Sequence, residues 1–223
     1  MINQFYSYRF EFFFFSQILI LFGSLIVPAE IFDHIVSRIL FILNLLAGIL
    51  LLYKKKRMMW FLISLLLIST IIFGSGMMDY GNREHLTFTR MLVYFLFYSL
   101  VAKEIIQQVW RAQKIGKNVF FGLISGYISL GLIGFFICLS IEMAHPGSFD
   151  LSQLNMEEAN AFTEGLMYFS YITMLTIGYG DVTPISPLAQ KATVLIGLIG
   201  QIYLVLLTAI IVGKYNNQSL NNT

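Results

Sequence analysis

The stretch that decides the fold reads Thr-Ile-Gly-Tyr-Gly-Asp and occupies residues 176–181, here called the glycine stretch. It lies between two long apolar segments and offers almost no side-chain chemistry of its own. Its two glycines, Gly178 and Gly180, tolerate the positive φ angles that other residues avoid. We therefore expect the backbone of this stretch, more than its side chains, to carry the function.

The composition predicts a membrane protein. Of the 223 residues, 57% are hydrophobic and 12% are charged, and the mean hydropathy is +0.76. Because a soluble domain is about one-half apolar and about one-quarter charged, the chain has too little polar surface to cover a water-soluble globule. The formal net charge of only +2 argues against nucleic acid as a partner. The single cysteine, Cys138, excludes an intrachain disulfide.

Six apolar stretches approach the roughly 20 residues that a helix needs to cross a bilayer. They are residues 12–27, 35–53, 60–73, 88–101, 119–141 and 192–212. A seventh, residues 161–176, is too short to cross and leads into the glycine stretch, so we interpret it as a re-entrant helix. Irregular backbone at membrane depth is tolerated only when it is buried in protein or lines a water-filled cavity. The predicted fold is an all-α membrane protein with six transmembrane helices and one re-entrant helix.

Basic residues predict the orientation of the chain. With the N-terminus in the cytoplasm, ten of the 14 Lys and Arg residues fall on the cytoplasmic side, as the positive-inside rule requires. These ten are Arg9, Lys54, Lys55, Lys56, Arg57, Lys103, Arg111, Lys114, Lys117 and Lys214. Of the 12 acidic residues, only Glu11 and Glu104 fall on that side. We predict a multi-pass protein of the plasma (cell inner) membrane, surrounded by its lipids and with both termini cytoplasmic.

Two cytoplasmic segments leave alternatives open. The basic run at residues 54–57 serves either as a topology signal or as a site for anionic lipid. Within residues 104–118, apolar residues recur at helical spacing with polar residues between them, which predicts an amphipathic helix in the inner interface. That helix is either a passive connector or an element that couples the first four spans to the last two.

Backbone carbonyls can replace the water that an ion loses in a membrane, without a fixed charge that would hold the ion too tightly. For successive carbonyls to point one way, alternate residues need backbone angles that L-residues avoid, and Gly178 and Gly180 supply them. The side chains of Ile177 and Tyr179 are then expected to turn away from the pore. The hydroxyl of Thr176 adds a further oxygen at the inner end.

Residues 176–181 resemble the selectivity-filter signature of potassium channels, and residues 119–212 resemble the outer helix, pore helix, filter and inner helix of that superfamily. The stretches Asp-Val-Thr-Pro-Ile-Ser-Pro-Leu-Ala (residues 181–189) and Ile-Gly-Gln-Ile-Tyr-Leu (residues 199–204) resemble its small prokaryotic members. The resemblance implies an extended filter in which backbone carbonyls and one hydroxyl form stacked potassium sites. The residues concerned are Thr176, Ile177, Gly178, Tyr179 and Gly180.

The same resemblance implies a homotetramer, since one chain supplies one filter strand and a ring needs four. It implies potassium ions in the filter and no further cofactor. Asp181 is expected at the outer mouth, where Tyr168 either hydrogen-bonds it and braces the filter or simply fills space. Two departures stand out: Leu175 replaces a threonine frequent in the family, and Ile172 stands where some bacterial members carry a buried glutamate.

The last apolar stretch contains the candidate gate. Gly197, Gly200, Leu204, Thr208 and Val212 follow spacings of three, four, four and four residues and so share one helix face. We expect this face to line the inner pore, with Thr208 and Val212 at the constriction. Gly197 and Gly200 are either hinges or small residues that allow close helix packing.

Acidic residues cluster on the predicted outer side. They are Glu142, Asp150, Glu157, Glu158 and Glu164. These residues either concentrate cations at the mouth of the pore or belong to an ordinary solvated loop. Asn155 or Asn160 is expected to cap the re-entrant helix.

The predicted organisation has four parts. They are residues 1–103 (a four-span domain with the layout of a voltage sensor), 104–118 (the amphipathic helix), 119–213 (the pore domain) and 214–223 (a short disordered tail). A voltage sensor needs several charges along its fourth span, whereas residues 88–101 hold only Arg90. We predict little or no intrinsic voltage dependence.

The function predicted from the sequence is a potassium-selective channel that conducts passively and is not an enzyme. The alternatives are a cation transporter and a non-conducting or regulatory membrane subunit. A single copy of the glycine stretch argues against a transporter built from inverted repeats. The sequence places no paired acids and no Ser/His arrangement at membrane depth, which disfavours an intramembrane enzyme.

Overall fold

The chain divides, in the computed structural model, into two compact units, Met1–Gly126 and Tyr127–Thr223. Helices make up most of both units. The structure describes residues 6, 8–28, 31–32, 36–75, 83–112, 116–153 and 161–220, and only the backbone for residues 71–75, 83–87, 90 and 215–220. Helix dominates because in an apolar environment each backbone N–H and C=O group must be satisfied within the protein.

Among the described residues, the first unit contains four complete helices and the start of a fifth. They are α1 (Arg9–Phe22), α2 (Ser37–Leu51), α3 (Lys56–Ser75), α4 (Arg83–Arg111) and the first part of α5 (Lys117–Ala144). A single 3-10 turn, Gly23–Leu25, follows α1. Pro28 comes three residues later, and the ring of proline is incompatible with the interior of a continuing helix.

Three helices among the described residues are long and apolar enough to cross a membrane. They are Met91–Arg111 within α4, Lys117–Ala144, and Pro187–Lys214 in the second unit. Helix α2 is apolar but has only 15 residues. The chain is therefore a membrane protein. Each of the six predicted apolar stretches is helical over most of its length, and the count of six spans stays a prediction.

Neutral hydrogen bonds join the helices at the centre of the first unit. The Tyr98 hydroxyl donates to Asn44 Oδ1 over 2.8 Å, and Asn44 Nδ2 donates to Ser16 Oγ over 2.8 Å. All three polar groups lie among fully buried rings, including those of Phe13 and Phe97. Because a buried polar group without a partner is costly, this network fixes how α1, α2 and α4 pack.

A charged network lies where α2 and α4 end. Lys55 Nζ contacts Glu104 Oε2 at 2.5 Å and Gln107 Oε1 at 3.0 Å. Gln108 Nε2 donates to Glu104 Oε1 over 3.0 Å. The other atom of the same amide, Gln108 Oε1, accepts from the guanidinium of Arg9 over 3.2–3.3 Å. Glu104 is only 3% exposed, so it is the buried centre around which these cations and amides are arranged.

The second unit contains the remainder of α5, α6 (Ala161–Met174), α7 (Pro187–Leu220) and two short strands. Strands β1 (Phe149–Asp150) and β2 (Thr183–Pro184) are antiparallel, with Phe149 opposite Pro184 and Asp150 opposite Thr183. This pairing joins the segment after α5 to the segment after the glycine stretch. The two ends of the loop that contains α6 are thus held together.

Two glycines of α5 allow α6 to pack closely against it. A Cβ at Gly131 would collide with the ring of Tyr171, and one at Gly134 would collide with Ser170 Oγ. The Ser170 hydroxyl donates to the Gly131 carbonyl over 2.8 Å, and the Tyr171 hydroxyl donates to the Ile128 carbonyl over 2.8 Å. The C-terminal half of α6 is therefore tied to α5.

The structure differs from the predicted segment boundaries in two places. Helix α4 runs without interruption through the boundary predicted at residues 103/104, so the start of the amphipathic segment continues the preceding helix. Helix α7 continues to Leu220, through most of the predicted tail of residues 214–223. Extending an existing helix is far easier than nucleating a new one, which explains both extensions.

Candidate functional site

Alternate residues of the glycine stretch have positive φ angles. The values are 59° at Thr176, 56° at Gly178 and 84° at Gly180. The positive φ predicted for the two glycines is confirmed, and Thr176 adds a third such residue. A Cβ at Gly178 or Gly180 would meet no other described residue of the chain within 4 Å. Glycine is thus required here for its backbone conformation and not for lack of space.

The end of α6 binds the N–H groups at the N-terminal end of the glycine stretch. Thr176 N donates to the Thr173 carbonyl over 3.0 Å, and Ile177 N donates to the Ile172 carbonyl over 2.9 Å. Gly178 N also points at the Ile172 carbonyl, at 3.4 Å. Sequence reasoning noted Ile172 only for the carboxylate that it lacks. Its carbonyl anchors the strand instead.

The carbonyl groups of the same stretch are left open. Within the described part of the chain, the carbonyl oxygens of residues 176–180 accept no hydrogen bond. The Thr176 hydroxyl donates to the Leu175 carbonyl over 2.7 Å, which leaves its oxygen lone pairs available. A strand whose first three N–H donors are engaged and whose acceptors are open presents a row of oxygens that suits a cation. The C-terminal end of α6 points its negative dipole end at this strand.

Tyr168 and Asp181 form the predicted hydrogen bond at the C-terminal end of the stretch. The Tyr168 hydroxyl donates to Asp181 Oδ2 over 2.6 Å, and Asp181 Oδ1 accepts from the Val182 N–H over 3.1 Å. The hydrogen bond to Asp181 raises the pKa of Tyr168 to about 12. Both oxygens of the carboxylate are therefore engaged beside the strand.

Glu142, at the end of α5, organises the turn at residues 145–150. It is only 7% exposed, and its two carboxylate oxygens accept from the N–H groups of Gly147 over 2.6 Å and Phe149 over 3.0 Å. The Ser148 carbonyl in turn accepts from the N–H groups of Ile185 and Ser186. The sequence placed Glu142 in an acidic cluster that either concentrates cations or belongs to a solvated loop. The structure instead buries Glu142 as a hydrogen-bond acceptor.

The other acids of that cluster have different surroundings. Asp150 is exposed, and hydrogen bonds from Ser152 lower its pKa below the usual value. Glu157 and Glu158 lie outside the described residues, as do the predicted caps Asn155 and Asn160.

The sequence signal that could have identified the role of Glu142 is the Pro-Gly pair at residues 146–147. Gly147 takes a φ of 81° in the turn whose N–H groups Glu142 binds.

The candidate gate residues of α7 fall into two groups. Gly200 is buried against α6, where an added Cβ would lie 2.6 Å from the Met174 carbonyl oxygen. Leu204, Thr208 and Val212 are exposed in the single chain. Of the two roles left open for Gly200, this contact favours close packing, and α7 is one continuous helix at this level. For Gly197 the nearest atom to an added Cβ is 4.0 Å away.

Large apolar side chains of the glycine stretch are uncovered in the single chain. Ile177 is 47% exposed and Tyr179 is 73% exposed. Leu175, which precedes the stretch, is 46% exposed. The predicted outward wedge of Ile177 and Tyr179 therefore finds little support within the chain itself. Any surface that covers these side chains must come from elsewhere.

Residues 123–216 match the family model described as "Ion channel". No curated protein and no solved structure matches the chain. The matched segment holds the paired strands, α6, the glycine stretch and most of α7. Together with the helices long enough to cross a membrane, the match supports an ion channel within a membrane protein.

Proposed function

We propose that the chain forms a homotetrameric, potassium-selective channel that conducts passively through the plasma membrane. The proposal rests on one observation: within residues 176–180, some backbone N–H groups are hydrogen-bonded, while the backbone carbonyls are bonded to no described residue. The first three N–H groups are bound by the end of α6, while the carbonyls accept nothing within the described part of the chain. Alternating positive φ angles let those carbonyls align.

The chemistry of the strand favours a monovalent cation. An anion would need N–H donors, and those of Thr176, Ile177 and Gly178 are engaged with α6. A tightly held divalent ion would favour carboxylates, but the nearest, Asp181, is bound by Tyr168 and by the Val182 N–H. Neutral carbonyls bind an ion firmly enough to replace its water and weakly enough to release it. The resemblance to potassium-channel filters then favours K⁺.

The exposed side chains support assembly from four copies. One chain supplies one strand of carbonyls, and an ion needs oxygens on all sides. Ile177 and Tyr179 lie beside open backbone carbonyls, and lipid cannot cover such a mixed surface because it offers those carbonyls no partner. A neighbouring copy can pack against the two side chains while its own strand completes the ring.

The hydrogen-bonded network at the centre of the first unit is neutral, which supports the prediction of weak voltage dependence. Tyr98, Asn44 and Ser16, which link its helices, carry no charge. A group that senses voltage must move charge through the membrane field. We therefore propose that this unit, with six spans in all and both termini in the cytoplasm, does not act as a voltage sensor.

Replacing Gly178 with alanine tests the function. Alanine fits the space at residue 178 but resists its positive φ, at a cost of roughly 1–3 kcal/mol. We expect potassium flux into liposomes to fall about tenfold or more. Gly213→Ala is the matched control, because Gly213 also has open space around it but lies within α7.

Equal fluxes for the two variants would contradict the proposal. Single-channel recording of the wild-type protein separates the remaining alternatives. Discrete openings indicate a channel, coupled stoichiometric flux indicates a transporter, and no flux indicates a regulatory or non-conducting subunit.

A further inference from the structure

The basic run at residues 54–57, which leads into α3, is only partly engaged within the protein. Lys54 Nζ lies over the ring of Tyr6, 4.8 Å from its centroid. Lys55 Nζ contacts the carboxylate of Glu104, which is almost fully buried. The first two bases of the run therefore have partners inside the first unit.

The last two bases of the run, Lys56 and Arg57, have exposed side chains. Neither side chain makes a hydrogen bond, an ion pair or a ring contact with another described residue. These two residues begin α3, and the first turn of that helix contains no acidic residue. Two positive charges are therefore available to a partner outside the chain.

An exposed face of α3 continues from these bases into apolar residues. Trp60, three residues after Arg57, is 65% exposed, and Phe61, four residues after it, is 45% exposed. Residues three and four apart lie on the same face of a helix. Leu67 and Ile68, about two turns further along α3, are also exposed. The face thus passes from positive charge through an indole to aliphatic side chains.

The order of side chains along this face matches one leaflet of a lipid bilayer. Headgroup phosphates lie at the outside of a leaflet, indoles concentrate at its interface, and hydrocarbon fills its interior. Each base near an anionic leaflet increases the affinity for it about fivefold. An acidic protein or a free phosphate would bind the two bases but leave the apolar face without a partner. An anionic lipid matches both parts of the surface.

We propose that Lys56 and Arg57 bind the headgroup phosphate of an anionic phospholipid, with Trp60 at the level of its ester groups and its acyl chains along the apolar face of α3. The phosphate of phosphatidylcholine carries its own choline counter-charge, whereas that of phosphatidylglycerol does not, so the site prefers phosphatidylglycerol. The predicted orientation places this lipid in the cytoplasmic leaflet. Lipid binding here does not depend on ion conduction, so its test is separate from that of the proposed function.

Quenching of Trp60 fluorescence by brominated lipids tests this preference directly. The chain has two tryptophans, and Trp110→Phe leaves Trp60 as the only indole. In mixed liposomes, phosphatidylglycerol with brominated acyl chains should quench Trp60 with about fivefold or greater affinity relative to brominated phosphatidylcholine. The double variant Lys56→Gln/Arg57→Gln should lose most of this preference. The charge-keeping variant Lys56→Arg/Arg57→Lys should retain it.

Lys103→Gln/Lys117→Gln is the matched control, because both bases are exposed and lie on the same predicted side of the membrane. This control removes the same charge elsewhere and should leave the preference at Trp60 unchanged. Quenching by brominated phosphatidylcholine shows in every variant that Trp60 still lies in the bilayer. Equal affinities of the two lipids for the unneutralised protein, or equal loss of preference in the two neutralised variants, would overturn the site. Displacement of the lipid by inorganic phosphate at constant ionic strength would also overturn it.

Thermal unfolding in detergent provides a second measurement that needs no tryptophan variant. A ligand that binds only the folded chain raises its unfolding midpoint. Phosphatidylglycerol added to the micelles should raise the midpoint a few degrees above its value with phosphatidylcholine, and Lys56→Gln/Arg57→Gln should abolish this rise. A rise of the same size in the double variant would overturn the proposal. A protein that keeps the lipid preference but does not conduct would remove only the proposed function.

Discussion

Thr176 and Gly178 illustrate how single residues determine the candidate site. Gly178 could be predicted from the sequence, because a positive φ is a property that glycine provides locally. The positive φ of Thr176, 59°, could not be predicted in this way, because threonine does not favour it. It depends on contacts with other residues, such as the hydrogen bond from Thr176 N to the Thr173 carbonyl. A non-glycine residue with this conformation costs roughly 1–3 kcal/mol. The ties between α6 and the strand must supply that energy.

Tyr168→Phe removes one hydrogen bond beside the strand and is expected to weaken it. The lost bond to Asp181 should speed the decline of current in low external potassium by about two- to tenfold, the range of a single hydrogen bond. Tyr171→Phe is the matched control, because it removes a hydroxyl of the same helix that binds Ile128 and not Asp181. Equal decline in both variants would show that the Tyr168 hydroxyl does not brace the strand.

The pH dependence of this brace follows from the raised pKa of Tyr168. Its ordinary value is 10.0 and its value in the folded chain is about 12. The protonated hydroxyl is the donor, so the bond is fully present below pH 10 and is lost as the pH rises through about 12. Raising the external pH from 7 to 9 should therefore leave the rate of current decline in wild-type channels unchanged.

At the scale of elements, a short antiparallel pair connects the turn at residues 145–150 to the chain after the glycine stretch. Strands β1 and β2 have two residues each, too few to show the alternation from which a strand is predicted. Glu142 holds the turn that presents β1. Its carboxylate could not be assigned this role from the sequence, because a solvated acid and a buried acceptor have the same local pattern.

Glu142→Gln tests how strongly this element is held. Glutamine keeps one carbonyl acceptor but places an NH₂ group against a backbone N–H, at a cost of about 1–3 kcal/mol. We expect the thermal unfolding midpoint to fall by a few degrees. Asp150→Asn is the control, since Asp150 is an exposed acid of the same turn. Equal midpoints for the two variants would mean that Glu142 contributes no more than a surface charge.

The helices themselves were largely predictable from the sequence. The six apolar stretches are 14 to 23 residues long, and an apolar environment forces their backbone groups to bond within a helix. The ends of α4 and α7 were less predictable because helix extension depends on propagation and not on apolar character. The sequence pattern of residues 104–111 correctly indicated helix but could not show that it continues α4.

At the scale of the whole molecule, the two units contain different polar features. The second unit holds the open carbonyls, and the first is organised around Tyr98, Asn44 and Ser16. The buried acid of the first unit, Glu104, lies in the network with Lys55 where α2 and α4 end. Neither group offers the row of mobile charges that a voltage sensor requires.

Voltage dependence is therefore expected to be weak. One charge that crosses the membrane field is worth about 2.3 kcal/mol per 100 mV, or roughly 50-fold in an opening equilibrium. Open probability in symmetric potassium should change by much less than this over 100 mV. A steep relation between conductance and voltage would show that the first unit moves charge after all.

Ion selectivity of the purified wild-type protein tests the central claim most directly. The measurement is the reversal potential of single-channel currents in a planar bilayer with potassium on one side and an equal concentration of sodium on the other. If neutral carbonyls of residues 176–180 bind potassium in a four-chain ring, unitary currents should flow from the potassium side and reverse only at potentials that strongly oppose potassium flow. A reversal potential near zero, or flux without discrete openings, would contradict a potassium-selective channel.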